Sequence, residues 1–155
     1  PESVRAGLAR TRWAGRLQTI PGRPSLLLDG AHNPAGAAAL ARYLRDRSEP
    51  PPVLLFGAMR SKDVRGILAP LAPRVAGVVL TKPEVERAEE PAVLAQVAST
   101  LRLRSEVVPD VARALQRAKE IAGEAGCVLV AGSLYLVGGV LSLLDGDSGP
   151  GPVSM

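Results

Sequence analysis

The sequence predicts an α/β protein of the Rossmann-like kind, a mostly parallel sheet with helices on both faces. Short extended apolar runs alternate with helical periodicities along nearly the whole chain, the order that crossover helices over a parallel sheet produce. Most of those runs are continuously apolar, as strands buried on both faces require, and lack the alternation of a half-solvated antiparallel sheet. Two of the intervening segments also open with helix caps, Asn33 before Pro34 and Asp110 before Val111.

In chain order, residues 3–12 read as a short helix leading into the domain, and residues 26–28 as the first buried strand. Ala37, Leu40, Ala41 and Leu44 then fall on one helical stripe that begins at the Asn33-Pro34 cap. The triplet Pro50-Pro51-Pro52 is a stiff connector into a strand at residues 53–56, and a short helix occupies residues 63–71. A strand at 75–80, a helix at 91–101 and a strand at 106–108 follow. Val111, Ala114, Leu115, Ala118, Ile121 and Ala122 form a second amphipathic stripe, and residues 128–130 form the last strand. Residues 146–155 are mostly Gly, Pro and Ser with little to bury, and are expected to be a disordered tail. The organisation read from this is a linker or short helix at 1–12, one domain at 13–145 and the tail at 146–155.

At 155 residues, with 46% hydrophobic and 22% charged residues, the chain suits one packed globular domain and excludes general disorder or a disulfide scaffold. Its four aromatic residues, Trp13, Tyr43, Phe56 and Tyr135, leave the core to Ala, Val and Leu and provide few rings for stacking bases. The net charge of +4 is mild and scattered, and no nucleic-acid partner is expected. Three lysines, Lys62, Lys82 and Lys119, stand against sixteen arginines. Cys127 has no second cysteine to pair with and sits in an apolar run, which predicts a buried thiol in a reducing compartment, the cytoplasm. Residues 127–144 carry no charge and approach the length of a membrane span. Gly132-Ser133 and Gly138-Gly139 interrupt them, however, and Glu124 and Asp145 flank them in place of Lys or Arg, so strand, turn and buried helix is the reading and no membrane partner is expected.

Four loops are candidates for chemistry. In Leu26-Leu27-Leu28-Asp29-Gly30-Ala31-His32-Asn33-Pro34 a buried strand runs into a loop and a capped helix, where open parallel sheets gather ligands and a helix N-terminus offers N–H groups to anions. Asp29 and His32, the only histidine, stand there as functional groups, or else as a turn cap and a polar surface residue. The segment Val128-Leu129-Val130-Ala131-Gly132-Ser133-Leu134-Tyr135 repeats the geometry. Ser133 is at the cap position, and Tyr135 is either in the core or in the same crevice. Ser133 is not a hydrolase nucleophile, because the flanking glycines of G-x-S-x-G are missing. Lys62, after the strand at 53–56, either holds a carboxylate or phosphate or is solvated. Arg87, in the charged loop 81–90, either closes over the crevice or is solvated. The chain lacks both G-x-x-x-x-G-K-[ST] and G-x-G-x-x-G, so neither usual phosphate cradle is present. With one His and one Cys, no metal site is expected.

The hexapeptide Asp29-Gly30-Ala31-His32-Asn33-Pro34 resembles the signature of folylpolyglutamate synthase and dihydrofolate synthase, within the Mur ligase superfamily. Trp13-Ala14-Gly15-Arg16-Leu17 resembles the W-x-G-R stretch of that family, residues 57–63 its G-x-x-x-x-K-D loop, and Gly132-Ser133-Leu134-Tyr135 its G-S-L-Y segment, in matching order over residues 13–144. The resemblance implies a Mur ligase C-terminal-type domain that contributes the glutamate site and part of the ATP site. It belongs to a ligase that forms an acyl phosphate from ATP and a folate or dihydropteroate carboxylate, which L-glutamate then displaces. It further implies Arg16 and Asp29 toward ATP, His32 and Ser133 toward glutamate, and Lys62, Arg87 and Tyr135 at the site edge. Mg²⁺ and the phosphates are then held mainly by an N-terminal P-loop domain of the same protein, so that this domain alone is inactive. Arginine forks, an acceptor carboxylate, and an imidazole with a hydroxyl beside helix N-termini are chemically suited to those partners. A freestanding nucleotide-binding or regulatory module of the same fold is the alternative.

Overall fold

The computed structural model describes residues 16–147. The helix expected at 3–12 and the Trp13-Ala14-Gly15 part of the W-x-G-R stretch lie outside the described residues, as does the tail from 148 onward. Among the described residues six strands form a single sheet: β1 (Gln18–Ile20), β2 (Ser25–Leu28), β3 (Val53–Phe56), β4 (Gly77–Leu80), β5 (Ser105–Val107) and β6 (Cys127–Ala131). Five helices connect or follow them: α1 (Pro34–Asp46), α2 (Val64–Leu71), α3 (Pro91–Thr100), α4 (Val111–Ala122) and α5 (Leu134–Asp147), with a 3₁₀ turn at Ala72–Arg74.

The strand order is β1-β2-β6-β3-β4-β5, and every neighbouring pair is parallel except β1 with β2. The expected α/β class and mostly parallel sheet are therefore what the chain adopts. Leu27, Leu54, Phe56, Val78, Leu80 and Leu129 pack on one face of the sheet beneath α1, α2 and α3. Leu26, Leu28, Leu55, Val79, Val128 and Val130 pack on the other beneath α4 and α5. The alternation of adjacent residues to opposite faces, both of them covered, explains why these runs read as unbroken apolar sequence.

The caps behave as their residue types require. Asn33 accepts from Gly36 N, Asp63 from Gly66 N and Asp110 from Arg113 N, at 2.8, 2.9 and 2.9 Å. Five local readings need correction. Strand β1, an antiparallel edge strand of three residues, is too short and too polar for an apolar-run criterion to find. β4 begins at Gly77, not residue 75, because Ala76 N bonds Pro52 O ahead of the ladder. β5 sits one residue earlier than expected, at an exposed edge where few apolar contacts fix the register. Cys127 is only partly buried, since it is the first residue of β6 and stands at the rim of the sheet. Finally, α5 continues to Asp147, two residues into the stretch assigned to the tail.

Candidate active site

Strand β6 lies between β2 and β3, and its helix α5 covers the face opposite to the one covered by α1 and α2. Adjacent strands whose helices depart to opposite faces leave a crevice at their carboxyl ends, the usual ligand position in such sheets. The loops carrying Asp29, Gly57 and Ser133 all emerge at that edge.

Backbone contacts bind these loops together. Asp29 N donates to Val130 O at 3.0 Å, and Gly132 N donates to Ala31 O at 2.9 Å. His32 and Ser133 are thus each the residue after a hydrogen-bonded partner. Gly132 has φ +113°, and a Cβ on it would lie 2.3 Å from Gly57 O and 2.7 Å from Phe56 Cε1, so the β6 loop is pressed against the β3 loop with no room for a side chain. A Cβ on Gly57 would in turn meet Pro83 Cδ at 2.8 Å, which extends the row to the loop after β4.

Asp29 is half-buried at the end of β2. Its Oδ1 accepts from Ala31 N at 2.8 Å and its Oδ2 from Leu17 N at 3.2 Å. Leu17 has φ +51°, in the left-handed region that a leucine adopts only when its surroundings impose it. Asp29 is therefore a clasp between the β1 approach and the β2 loop, and Arg16, next to Leu17, lies close enough to act on the carboxylate charge. Burial pushes the Asp29 carboxyl above its ordinary value, against the pull of the two backbone N–H groups and Arg16. Each oxygen retains a second lone pair for an outside donor.

His32 Nδ1 lies 2.8 Å from Gly30 O. A carbonyl can only accept, so Nδ1 carries the proton and Nε2 is left as the acceptor in the neutral ring. At the start of α1, Pro34 has no N–H, while Gly36 and Ala37 give theirs to Asn33, leaving Ala35 N–H as the first-turn donor beside His32. Ser133 is buried, and its Oγ accepts from Tyr135 N at 3.0 Å, so the cap reading of this serine is realised and its hydroxyl proton remains to donate. Tyr135 is 54% exposed on the first turn of α5, which removes the core reading.

Lys62 and Arg87 are exposed and lie farther along the same edge. Their loops are tied by Arg60 N to Arg87 O at 2.8 Å and by the Met59–Ala88 bridge, which places Arg87 beside the β3 loop. The structure thus sets Arg16 within charge range of Asp29 and ties the loops of His32 and Ser133 together through the Gly132–Ala31 bond, with the loops of Lys62 and Arg87 on the flank. The sequence reading gives no role to Leu17, which acts through a backbone N–H that no side-chain pattern reveals, and takes Gly132 as a break in an apolar run and as part of the G-S-L-Y segment, not as a close approach of two loops. Among the described residues no group of three or more His, Cys, Asp or Glu could hold a metal ion, and no helix is long and apolar enough to cross a membrane.

Comparison with known proteins identifies a family for this fold. Residues 15–134 match the family described as Mur ligase, glutamate ligase domain. A probable bifunctional folylpolyglutamate synthase/dihydropteroate synthase of Haloferax volcanii is 39% identical over 137 residues, which are 88% of this chain and 16% of that protein. The folylpolyglutamate synthase of Mycobacterium tuberculosis complexed with ADP and AMPPCP superposes with a TM-score of 0.79 at 31% identity, over 92% of this chain and 34% of that one. A bifunctional folylpolyglutamate synthase/dihydrofolate synthase of Yersinia pestis, complexed with AMPPNP and a Mn ion, superposes with a TM-score of 0.77 at 30% identity, over 92% and 34%. The chain therefore spans about a third of the length of these solved relatives and less of the archaeal one.

Proposed function

Because the chain belongs to the Mur ligase glutamate ligase domain family, we propose that it is the carboxy-terminal domain, residues 13–145, of an ATP-dependent folate:L-glutamate amide ligase. The observation that carries this reading is the junction of the β2 and β6 loops, where Gly132 N bonds Ala31 O and ties the loops of His32 and Ser133 together at the sheet's switch point. The names of the relatives support the folate and ligase parts of it, and the family description supports glutamate.

In this reading His32 Nε2, the Ser133 hydroxyl and Ala35 N–H are the groups offered to glutamate. An imidazole acceptor suits its ammonium, and two donors at helix N-termini suit a carboxylate. Arg16 and Asp29 serve ATP, the arginine through its fork to phosphate or ribose oxygens and the aspartate through its remaining lone pairs to hydroxyls. Lys62, Arg87 and Tyr135 border the substrate. ATP activates the folate or dihydropteroate carboxylate as an acyl phosphate, and the glutamate amine displaces phosphate to leave an amide. In this reading Mg²⁺ and the in-line positioning of the phosphates belong mainly to a P-loop domain of the same protein.

The test is steady-state kinetics on the longer protein that carries both domains. His32→Ala is expected to raise the KM for glutamate at least about tenfold with a smaller change in KM for ATP, a loss of roughly 1.4 kcal/mol of binding or more. Arg16→Ala is expected to do the reverse. Equal effects of both variants on both substrates would overturn the assignment. The 155-residue chain by itself is expected to release no ADP with glutamate and a folate substrate present, and measurable glutamate-dependent release would contradict the division of labour.

A further inference from the structure

At the opposite edge, where the parallel strands begin, lies a cavity of about 570 Å³ that the ligase reading does not use. Its volume is in the range that small organic ligands occupy. Val53 at the start of β3, Val78 in β4 and the half-exposed Ile121 on α4 give it apolar walls. Arg47, Arg104 and Cys127 supply its polar groups, with Glu49 and Glu106 at the margin.

Arg47 just follows α1, and its side chain is only 16% exposed. Nε donates to Glu49 Oε1 at 3.1 Å, but Nη1 is buried with no acceptor among the described residues. A buried guanidinium N–H without an acceptor is costly, because its hydration is lost and nothing replaces it. Arg104 has no carboxylate partner among the described residues, while Glu106 is committed to Arg117 at 2.7 Å. With Glu49 paired to Arg47 and Glu106 drawn to Arg117 outside the cavity, Arg104 is left as the uncompensated positive charge in the lining, beside the unfilled donor and between apolar walls.

We infer that this cavity binds a small organic monocarboxylate with a flat apolar body, its carboxylate on Arg47 and Arg104 and its body against Val53, Val78 and Ile121. The guanidinium fork accounts for the headgroup, since planar carboxylates are what arginine recognises in pairs of parallel bonds. A single net charge favours a monoanion over a phosphate dianion, which the flanking Glu49 would repel. The inference is independent of the ligase reading, because it concerns the other edge of the sheet.

Cys127 makes it testable. It is the only thiol of the chain, it is partly exposed at this cavity, and it lies close enough to Arg47 to interact with the guanidinium. The experiment measures the rate at which iodoacetamide, an uncharged reagent, alkylates Cys127 in the whole 155-residue chain, with 2-naphthoate, 2-naphthol or acetate added at millimolar concentration. The expected result is about tenfold slower alkylation with 2-naphthoate, corresponding to a submillimolar Kd, and less than about twofold with the headless or bodiless probe. Arg104→Gln, a change at an exposed position, should abolish the protection while leaving the melting temperature unchanged; Arg47→Gln should do the same if it folds. Protection by 2-naphthol equal to that by 2-naphthoate would show an apolar cleft without carboxylate recognition and overturn the proposal. So would undiminished protection in folded Arg104→Gln, or no protection at all.

Discussion

At the scale of single residues, Gly132 and Asp29 make the sharpest predictions. A Cβ at position 132 would demand both a left-handed backbone and space already taken by Gly57 O and the fully buried Phe56 ring. Gly132→Ala is therefore expected to cost about 3 kcal/mol or more, measured by urea denaturation, while Gly138→Ala, which meets open space within a helix, should be neutral or stabilising. Asp29 carries a pH signature. Burial raises its carboxyl above the unfolded value, so the folded state binds that proton more tightly. Its contribution to stability is thus fully present below the ordinary Asp range and is lost as pH rises through the raised value. Relative to Asp29→Asn, the unsubstituted chain should lose stability across the window just above that ordinary range. Denaturation midpoints of the two proteins that stay parallel through the window would show that burial does not govern this group. The location of Asp29, His32 and Ser133 was legible because each follows a strand and precedes a helix start. The clasp from Leu17 was not, because a backbone N–H looks alike in every sequence.

Among the elements, the helices were the easiest to read, since caps and apolar stripes are local signals. The structure places Asn33, Asp63 and Asp110 in the cap bonds that their residue types and positions imply. Asn33→Ala should cost about 1 kcal/mol by thermal denaturation and frees Gly36 N–H, whereas Asn33→Asp should retain the cap. Strands were legible in proportion to their burial. The central runs at β3 and β6 were found within a residue, while the edge strands β1 and β5 were missed or shifted, because exposed pairing leaves little hydrophobic pattern. Cys127 was misread for a related reason. Apolar neighbours in sequence imply burial of the strand's middle, not of its first residue.

For the whole molecule, the sequence conveyed the class of the sheet but not the order of its strands, which depends on contacts between residues a hundred positions apart. Leu129, fully buried in β6, is in register with Leu27 of β2 and Leu54 of β3, so Leu129→Ala should destabilise the entire domain by roughly 2–5 kcal/mol in denaturant unfolding. Among the described residues β6 is the last strand in sequence and the one that touches both halves of the sheet. On a ribosome, β1 with β2 and β3 with β4 and β5 can pair as they emerge, but the two sets have no ladder between them until residues 127–131 leave the exit tunnel. Until then the open flanks of β2 and β3 are unprotected strand edges, the kind that invites pairing with other chains. The nascent domain thus depends on a late and long-range closure, so a stall or truncation after β5 and before residue 127 should leave two separate β fragments rather than a smaller version of the fold.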